Sequence, residues 1–181
     1  WSATRHLIDL GHRRIGYIAG PSDLTLSEYR STGYRKALED AGIAADEKLV
    51  VRGTFDFESG YRTAGQLLAN NKRPTAIFAC NDLMAIGAIC AATELGLQVP
   101  QDLSVVGYDD IPLASYSNPP LTTIAQPNYD MGVRAASMLL ERLHDPGRPP
   151  QRIVLDIELR IRRSTTALCA PSARVDKRQR A

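Results

Sequence analysis

Cysteine is scarce: Cys80, Cys90 and Cys169 are the three thiols in 181 residues, and their spacing fits neither a zinc site nor a redox pair. An odd count argues against a disulfide framework, so a reducing compartment, the cytoplasm, is expected. Excess charge is also missing. The formal balance of +2 is too small to point to a nucleic-acid or membrane surface, whose footprint needs Lys and Arg gathered on one face, so charge decides nothing about partners. Apolar runs stop well short of the roughly 18 residues that cross a bilayer, and no basic-then-apolar leader opens the chain. No membrane partner is expected. Signatures of catalysis are absent as well: there is no G-x-G-x-x-G after the first apolar run, no phosphate-binding G-x-x-x-x-G-K-[ST], no G-x-S-x-G elbow and no H-E-x-x-H. His6, His12 and His144 fall in or beside helical segments and a turn. His12, in L-G-H-R-R-I, reads as a helix-terminus residue that satisfies carbonyls rather than as a base or ligand. No enzyme is expected, and no cofactor or metal is called for.

What is present is alternation. With 44% hydrophobic and 23% charged residues, the chain can bury a core of ordinary size. Short apolar runs at 15–20, 49–55, 75–80 and 103–109 alternate with segments of helical period at 3–10, 26–42, 58–70, 82–95 and 129–143. That order specifies an α/β fold, an open parallel sheet flanked by helices, with connections long enough for right-handed crossovers. Gly11, Gly42 and Gly96 follow three of the helices, where a left-handed terminal residue favours glycine. Asp82, Asp56 or Ser59, and Asn128 are candidate N-caps. From Pro112 the rhythm changes to a loop, then a short β-branched strand at 121–126. After H-D-P-G-R-P-P, the residues from Val154 to Arg160 alternate as a strand with one wet face would. The chain opens at Trp1 inside a helical pattern, which is expected of a truncated chain, and it ends in a polar, basic stretch expected to fray.

In an open parallel sheet, ligands bind beyond the carboxyl ends of the strands. The residues there are Arg30 in the helix after the first strand, Phe55 after the second, Asn81 and Asp82 after the third, and Asp109 and Asp110 after the fourth. An aromatic plate, a guanidinium, an amide and carboxylates suit a polar, ring-shaped ligand. Each also has a plainer role: Arg30 as a solvated helix residue, Phe55 as a core residue, Asn81 or Asp82 as a helix cap. The adjacent acids cannot form a proton-transferring dyad in strand geometry, so one is expected to face the cleft while the other braces a loop.

Several strings together resemble the LacI/GalR repressor family: A-T-R-H-L-I-D-L-G-H-R-R-I-G-Y-I-A-G-P, F-x-x-E-S-G-Y-R, R-P-T-A-I-F-A-C-N-D-L-M-A-I-G, G-L-Q-V-P-Q-D-L-S-V-V-G-Y-D-D and P-P-L-T-T-I-A-Q-P. They fall in order from about residue 2 to 166, ending in L-R-I-R-R-S-T-T. The resemblance implies a helix-turn-helix head and a hinge, absent here, and a two-lobed core of the type I periplasmic-binding-protein kind. It places residues 1–125 in the C-terminal lobe, 126–150 as a helix of the N-terminal lobe, 151–164 as a returning strand and 165–181 as a tail. It implies effector contacts at Arg30, Phe55, Asn81 and Asp109, with Gln126 lining the cleft at the lobe crossover. The implied partners are a small effector, sugar or sugar-like more than purine, a second copy of the chain, and operator DNA through the head. The helix after Asn81 and the S-Y-S-N-P-P loop are the interface candidates, with Met84, Ile86 and Ile89 shared between core and interface. A periplasmic sugar-binding protein of a transport system is the alternative on the same fold.

Overall fold

The protein is described by a computed structural model in which residues 1–69 and 72–168 are placed. The chain runs α1 (Ser2–Asp9), β1 (Ile15–Ala19), α2 (Thr25–Asp40), a 3-10 turn (Glu47–Leu49), β2 (Val50–Arg52), α3 (Phe57–Leu68), β3 (Ala76–Ala79), α4 (Asp82–Glu94), β4 (Ser104–Asp109), α5 (Pro112–Tyr116), β5 (Thr122–Ala125), α6 (Asn128–His144) and β6 (Glu158–Arg160). Strand order is β2-β1-β3-β4-β5-β6. Neighbours from β2 to β5 run parallel, and β6 runs antiparallel against β5 with Thr123 opposite Arg160. The expected open, parallel α/β sheet is what forms. Because the chain steps from β1 outward to β2 and then back across to β3, right-handed crossovers put α2 and α3 on opposite faces. Helix α1 accordingly packs beside α2, and α4 beside α3.

Covered on both faces, β1 and β3 bury every residue, which is why they read as unbroken apolar runs rather than alternating ones. Tyr17 on β1 stacks between Tyr34 of α2, with centroids 4.8 Å apart, and Phe78 of β3, at 5.3 Å. On the other face α3 and α4 meet at backbone distance: a Cβ on Gly60 would lie 2.3 Å from the Met84 backbone, and one on Gly87 2.3 Å from the Phe57 carbonyl oxygen. The glycines expected at helix ends do adopt positive φ, 92° at Gly11, 66° at Gly42 and 75° at Gly96.

Some local expectations need correction. Asn81, not Asp82, caps α4, its Oδ1 accepting the Met84 N–H, and Asp56 caps α3 by accepting from Ser59. Asn128 lies inside α6, whose N-cap is Pro127 with no side-chain bond. The stretch read as loop after Pro112 contains the single turn α5, which starts at that proline. The alternation from Val154 to Arg160 becomes a strand only over 158–160, where β5 supplies backbone partners. Residues 165–168, expected to fray, are fastened down: Thr166 N–H donates to Ser104 Oγ at 3.1 Å and Leu168 N–H to the Leu10 carbonyl at 2.8 Å. The remainder of the expected tail, with Cys169, lies outside the described residues. His12 does close the end of α1, its N–H donating to the Leu7 carbonyl at 3.1 Å, but its ring satisfies no helix carbonyl. It is buried under the sheet, with Nδ1 2.9 Å from Thr75 Oγ1 and Nε2 3.1 Å from both Ser104 Oγ and the Thr166 carbonyl.

Candidate functional site

The sheet reverses its direction of growth at β1 and β3, and the carboxyl ends of those strands flank the crevice where open α/β sheets bind ligands. The sequence candidates converge there. Arg30 projects from the second turn of α2, donating through Nη1 to the Cys80 carbonyl at 2.5 Å and through Nη2 to Asp109 Oδ1 at 3.2 Å. Its guanidinium lies 3.8 Å above the centre of the Tyr108 ring, a partner that sequence reasoning missed. Strand alternation would have turned Tyr108 away from its neighbour Asp109, so no pattern announced it. Gln126, at the end of β5, donates from Nε2 to the same Asp109 oxygen at 2.6 Å. Residues 30, 109 and 126 therefore form one hydrogen-bonded group drawn from three elements.

Phe55 is half-buried, neither deep in the core nor free, and its ring lies over the Gly20 backbone, where a Cβ would come within 2.3 Å of Phe55 Cζ. This close approach explains glycine at the end of β1. Asn81 is buried, and both of its polar atoms have protein partners: Oδ1 takes the Met84 N–H at 2.9 Å, and Nδ2 donates to the Phe55 carbonyl at 2.8 Å. The amide keeps one N–H and one lone pair for anything else.

The adjacent acids separate as expected, though by another route. Asp109 and Asp110 both take positive φ, 116° and 56°, so the chain turns sharply instead of continuing the pleat. Asp109 faces Arg30, and Asp110 pairs with Arg162 at 2.6 Å, a link that anchors the turn to the segment after β6. Burial pushes the Asp109 carboxyl up, and the Arg30 charge and the Gln126 hydrogen bond pull it back. Asp82 behind them is fully buried and pushed up to about 6, first by desolvation and further by the neighbouring Asp109 and Asp110, against the bonds from Thr123 and Ile111. Among the described residues no group of acids, cysteines and histidines is arranged to hold a metal ion. Chemically the rim pairs its charges, Arg30 with Asp109 and Arg162 with Asp110, and adds two amides, Asn81 and Gln126, and an aromatic face.

A family model for the periplasmic binding protein-like domain matches residues 4–165. The chain belongs to that family. Its relatives are regulators of the LacI type. The HTH-type transcriptional repressor PurR of Escherichia fergusonii is 48% identical over 164 residues, covering 91% of this chain and 48% of the repressor. A transcriptional regulator CelR–cellobiose complex superposes with a TM-score of 0.86 at 41% identity, over 90% of this chain and 50% of the regulator. The lac repressor dimer bound to operator and an anti-inducer superposes at 0.83 with 36% identity, over 92% and 58% respectively. The chain thus spans about half the length of the curated relatives it matches. No helix among the described residues is long and apolar enough to cross a membrane.

Of the interface candidates, Met84 and Ile89 belong to the core, at 0% and 4% exposure, while Ile86 is half-buried. In and beside the S-Y-S-N-P-P loop, Leu113 and Tyr116 stand out in solvent.

Proposed function

We propose that this chain is the effector-sensing and dimer-forming part of a LacI/GalR-type transcription repressor acting in the cytoplasm, and that its effector is a neutral sugar. The observation that carries the reading is the group Arg30–Asp109–Gln126 with Phe55 and Asn81, far apart in sequence and gathered at one rim of the sheet. A balanced cation and carboxylate present donors and acceptors to hydroxyl groups without excess charge, and Phe55 offers a face for a ring. Cellobiose in a structural relative supports the sugar class. Residues 1–125 form the lobe that bears the site. The helix in 126–150 belongs to a companion lobe that closes over it, biasing a hinge and so DNA affinity, and 151–164 returns the chain to the sheet beside β5. Leu113 and Tyr116 supply apolar surface for a second copy. The arrangement is that of a sensor, not an enzyme.

A thermal-shift screen of sugars and purines on the complete protein tests this. Ligand at a hundredfold excess over Kd stabilises by about 2.7 kcal/mol, enough for a shift of several degrees. That shift is expected to vanish in Arg30→Ala and Asp109→Ala. If both variants respond like the parent, the site is elsewhere; if purines alone shift the parent, the sugar assignment falls and the site stands.

A further inference from the structure

The non-glycine residues with positive φ among those described are Phe55, Asp109 and Asp110, and all of them sit at the rim just described. Such conformations cost energy and persist only where surrounding bonds dictate them. Here the bonds come from two adjacent residues. Asn81 Nδ2 grips the Phe55 carbonyl at 2.8 Å. Asp82 Oδ2 accepts the N–H of Ile111, the residue that closes the Asp109–Asp110 turn, at 2.9 Å. Asp82 Oδ1 accepts from Thr123 Oγ1 at 2.5 Å, three residues before Gln126.

We propose that the Asn81–Asp82 pair is a positioning clamp for the effector site, in which Asn81 sets the Phe55 turn and Asp82 sets both Asp109 and Gln126 before any ligand arrives. The inference rests on the reading of the rim as an effector site and adds a residue, Asp82, that touches no ligand. Core packing does not explain an acid at this position. It is fully buried, faces two further carboxylates from the end of β4, and lies where a Cβ on Gly107 would come within 2.2 Å of Oδ1. An apolar side chain would avoid the desolvation and the repulsion. What the carboxylate provides is two acceptors pointing in different directions, one for each segment that carries a site residue. Because Asn81 and Asp82 begin α4, itself packed along α3, the clamp is mounted on rigid structure.

The test uses the complete protein with Asp82→Ala, Asp82→Asn and Asn81→Ala. In the conservative variant the amide oxygen still accepts from Ile111 while the Thr123 hydroxyl turns round to accept from Nδ2, so most of the positioning survives. Amide exchange without ligand is expected to rise about tenfold over 107–113 in Asp82→Ala and over 53–57 in Asn81→Ala, with β1 and β3 unchanged and Asp82→Asn close to the parent. Exchange that stays at parental rates, rises evenly through the sheet, or rises equally in the Asn and Ala variants overturns the clamp. Titration with cellobiose and with ribose is expected to show affinity about tenfold weaker in Asp82→Ala and restored in Asp82→Asn, as loss of preorganisation requires. Parental affinity in Asp82→Ala overturns the link to binding. If neither sugar binds the parent, the exchange data decide the clamp, and the sugar assignment stands or falls with the thermal-shift screen.

Discussion

Helix α4 is apolar almost all round and α6 places apolar residues at helical spacing, yet α4 buries Met84, Ala85, Ala88, Ile89, Ala91 and Ala92 whereas α6 buries nothing. Met131, Leu139, Leu140 and Leu143 of α6 all stand in solvent, as do Ile153, Val154 and Ile157 of the segment leading to β6. A groove of about 540 Å³ runs between that segment and α6, with Gln126 among its lining residues. Periodicity marks the face of an element that wants cover; the cover itself comes from whatever the chain places beside it. In the sheet body the crossovers supply that neighbour. In the arm formed by α6 and the segment leading to β6 they do not, and the remainder of the companion lobe proposed above is the surface that would.

Substitutions can break this contrast between body and arm. Ile77→Ala, on the central strand β3 and fully buried, is expected to cost about 2–5 kcal/mol in chemical denaturation; a cost below 1 kcal/mol would show that the body is loosely packed. Gly60→Ala forces a Cβ into the α4 backbone and is expected to cost about 1–3 kcal/mol, measured in the same way.

A third prediction concerns pH. Burial lowers the His12 pKa below its ordinary 6.5, so the stability tied to neutral His12 is complete above 6.5 and is lost as pH falls through the folded value. His6, also lowered by burial, adds a slope of the same sign. Asp82, raised from 3.8 to about 6, works the other way: its contribution is complete below 3.8 and lost as pH rises through about 6. Denaturation midpoints taken from about pH 7.5 down to about pH 6 should therefore fall in the parent and fall less in His12→Gln. Equal slopes would remove His12 from the account.

Leu140→Ala carries the smallest effect, below about 0.5 kcal/mol in the 181-residue chain because the side chain is already in water. In the complete protein the same substitution should cost more than about 1 kcal/mol if a second lobe covers α6. Equal costs in both would leave the arm uncovered.

The body was largely legible because its strands are flanked on both faces and its helices end at glycine, signals that reside in single residues and short windows. The arm was less so. Alternation from Val154 to Arg160 promised a strand along its whole length, but the ladder extends only as far as Ala125 of β5 can pair, at Glu158. At the rim, Arg30, Asp109 and Gln126 were found from their positions after strands, and the structure joins them. Tyr108 and Arg162 were invisible, since each acts through a turn with positive φ that no periodicity encodes. The backbone of His12 closes α1 as its position after Gly11 suggested, but its ring was misread because its partners at 75, 104 and 166 are distant in sequence, and a buried imidazole among hydroxyls leaves no local trace.

The strap from Ser164 to Leu168 also bears on biosynthesis. The Thr166 carbonyl bonded to His12 lies 154 residues away along the chain, and Ser164 supplies its carbonyl to the N–H of Val105 and its hydroxyl to the N–H of Thr122. A nascent chain leaving the ribosome can form α1, β1 and most of the sheet early, but buried polar groups beneath β4 and β5 wait until the last of these residues emerges. Until then the floor of the domain stays open to water, and contacts of such long separation are slow to close. Closure of this part of the domain is thus a late event in its own synthesis, governed by residues 164–168 and not by the segments they cover.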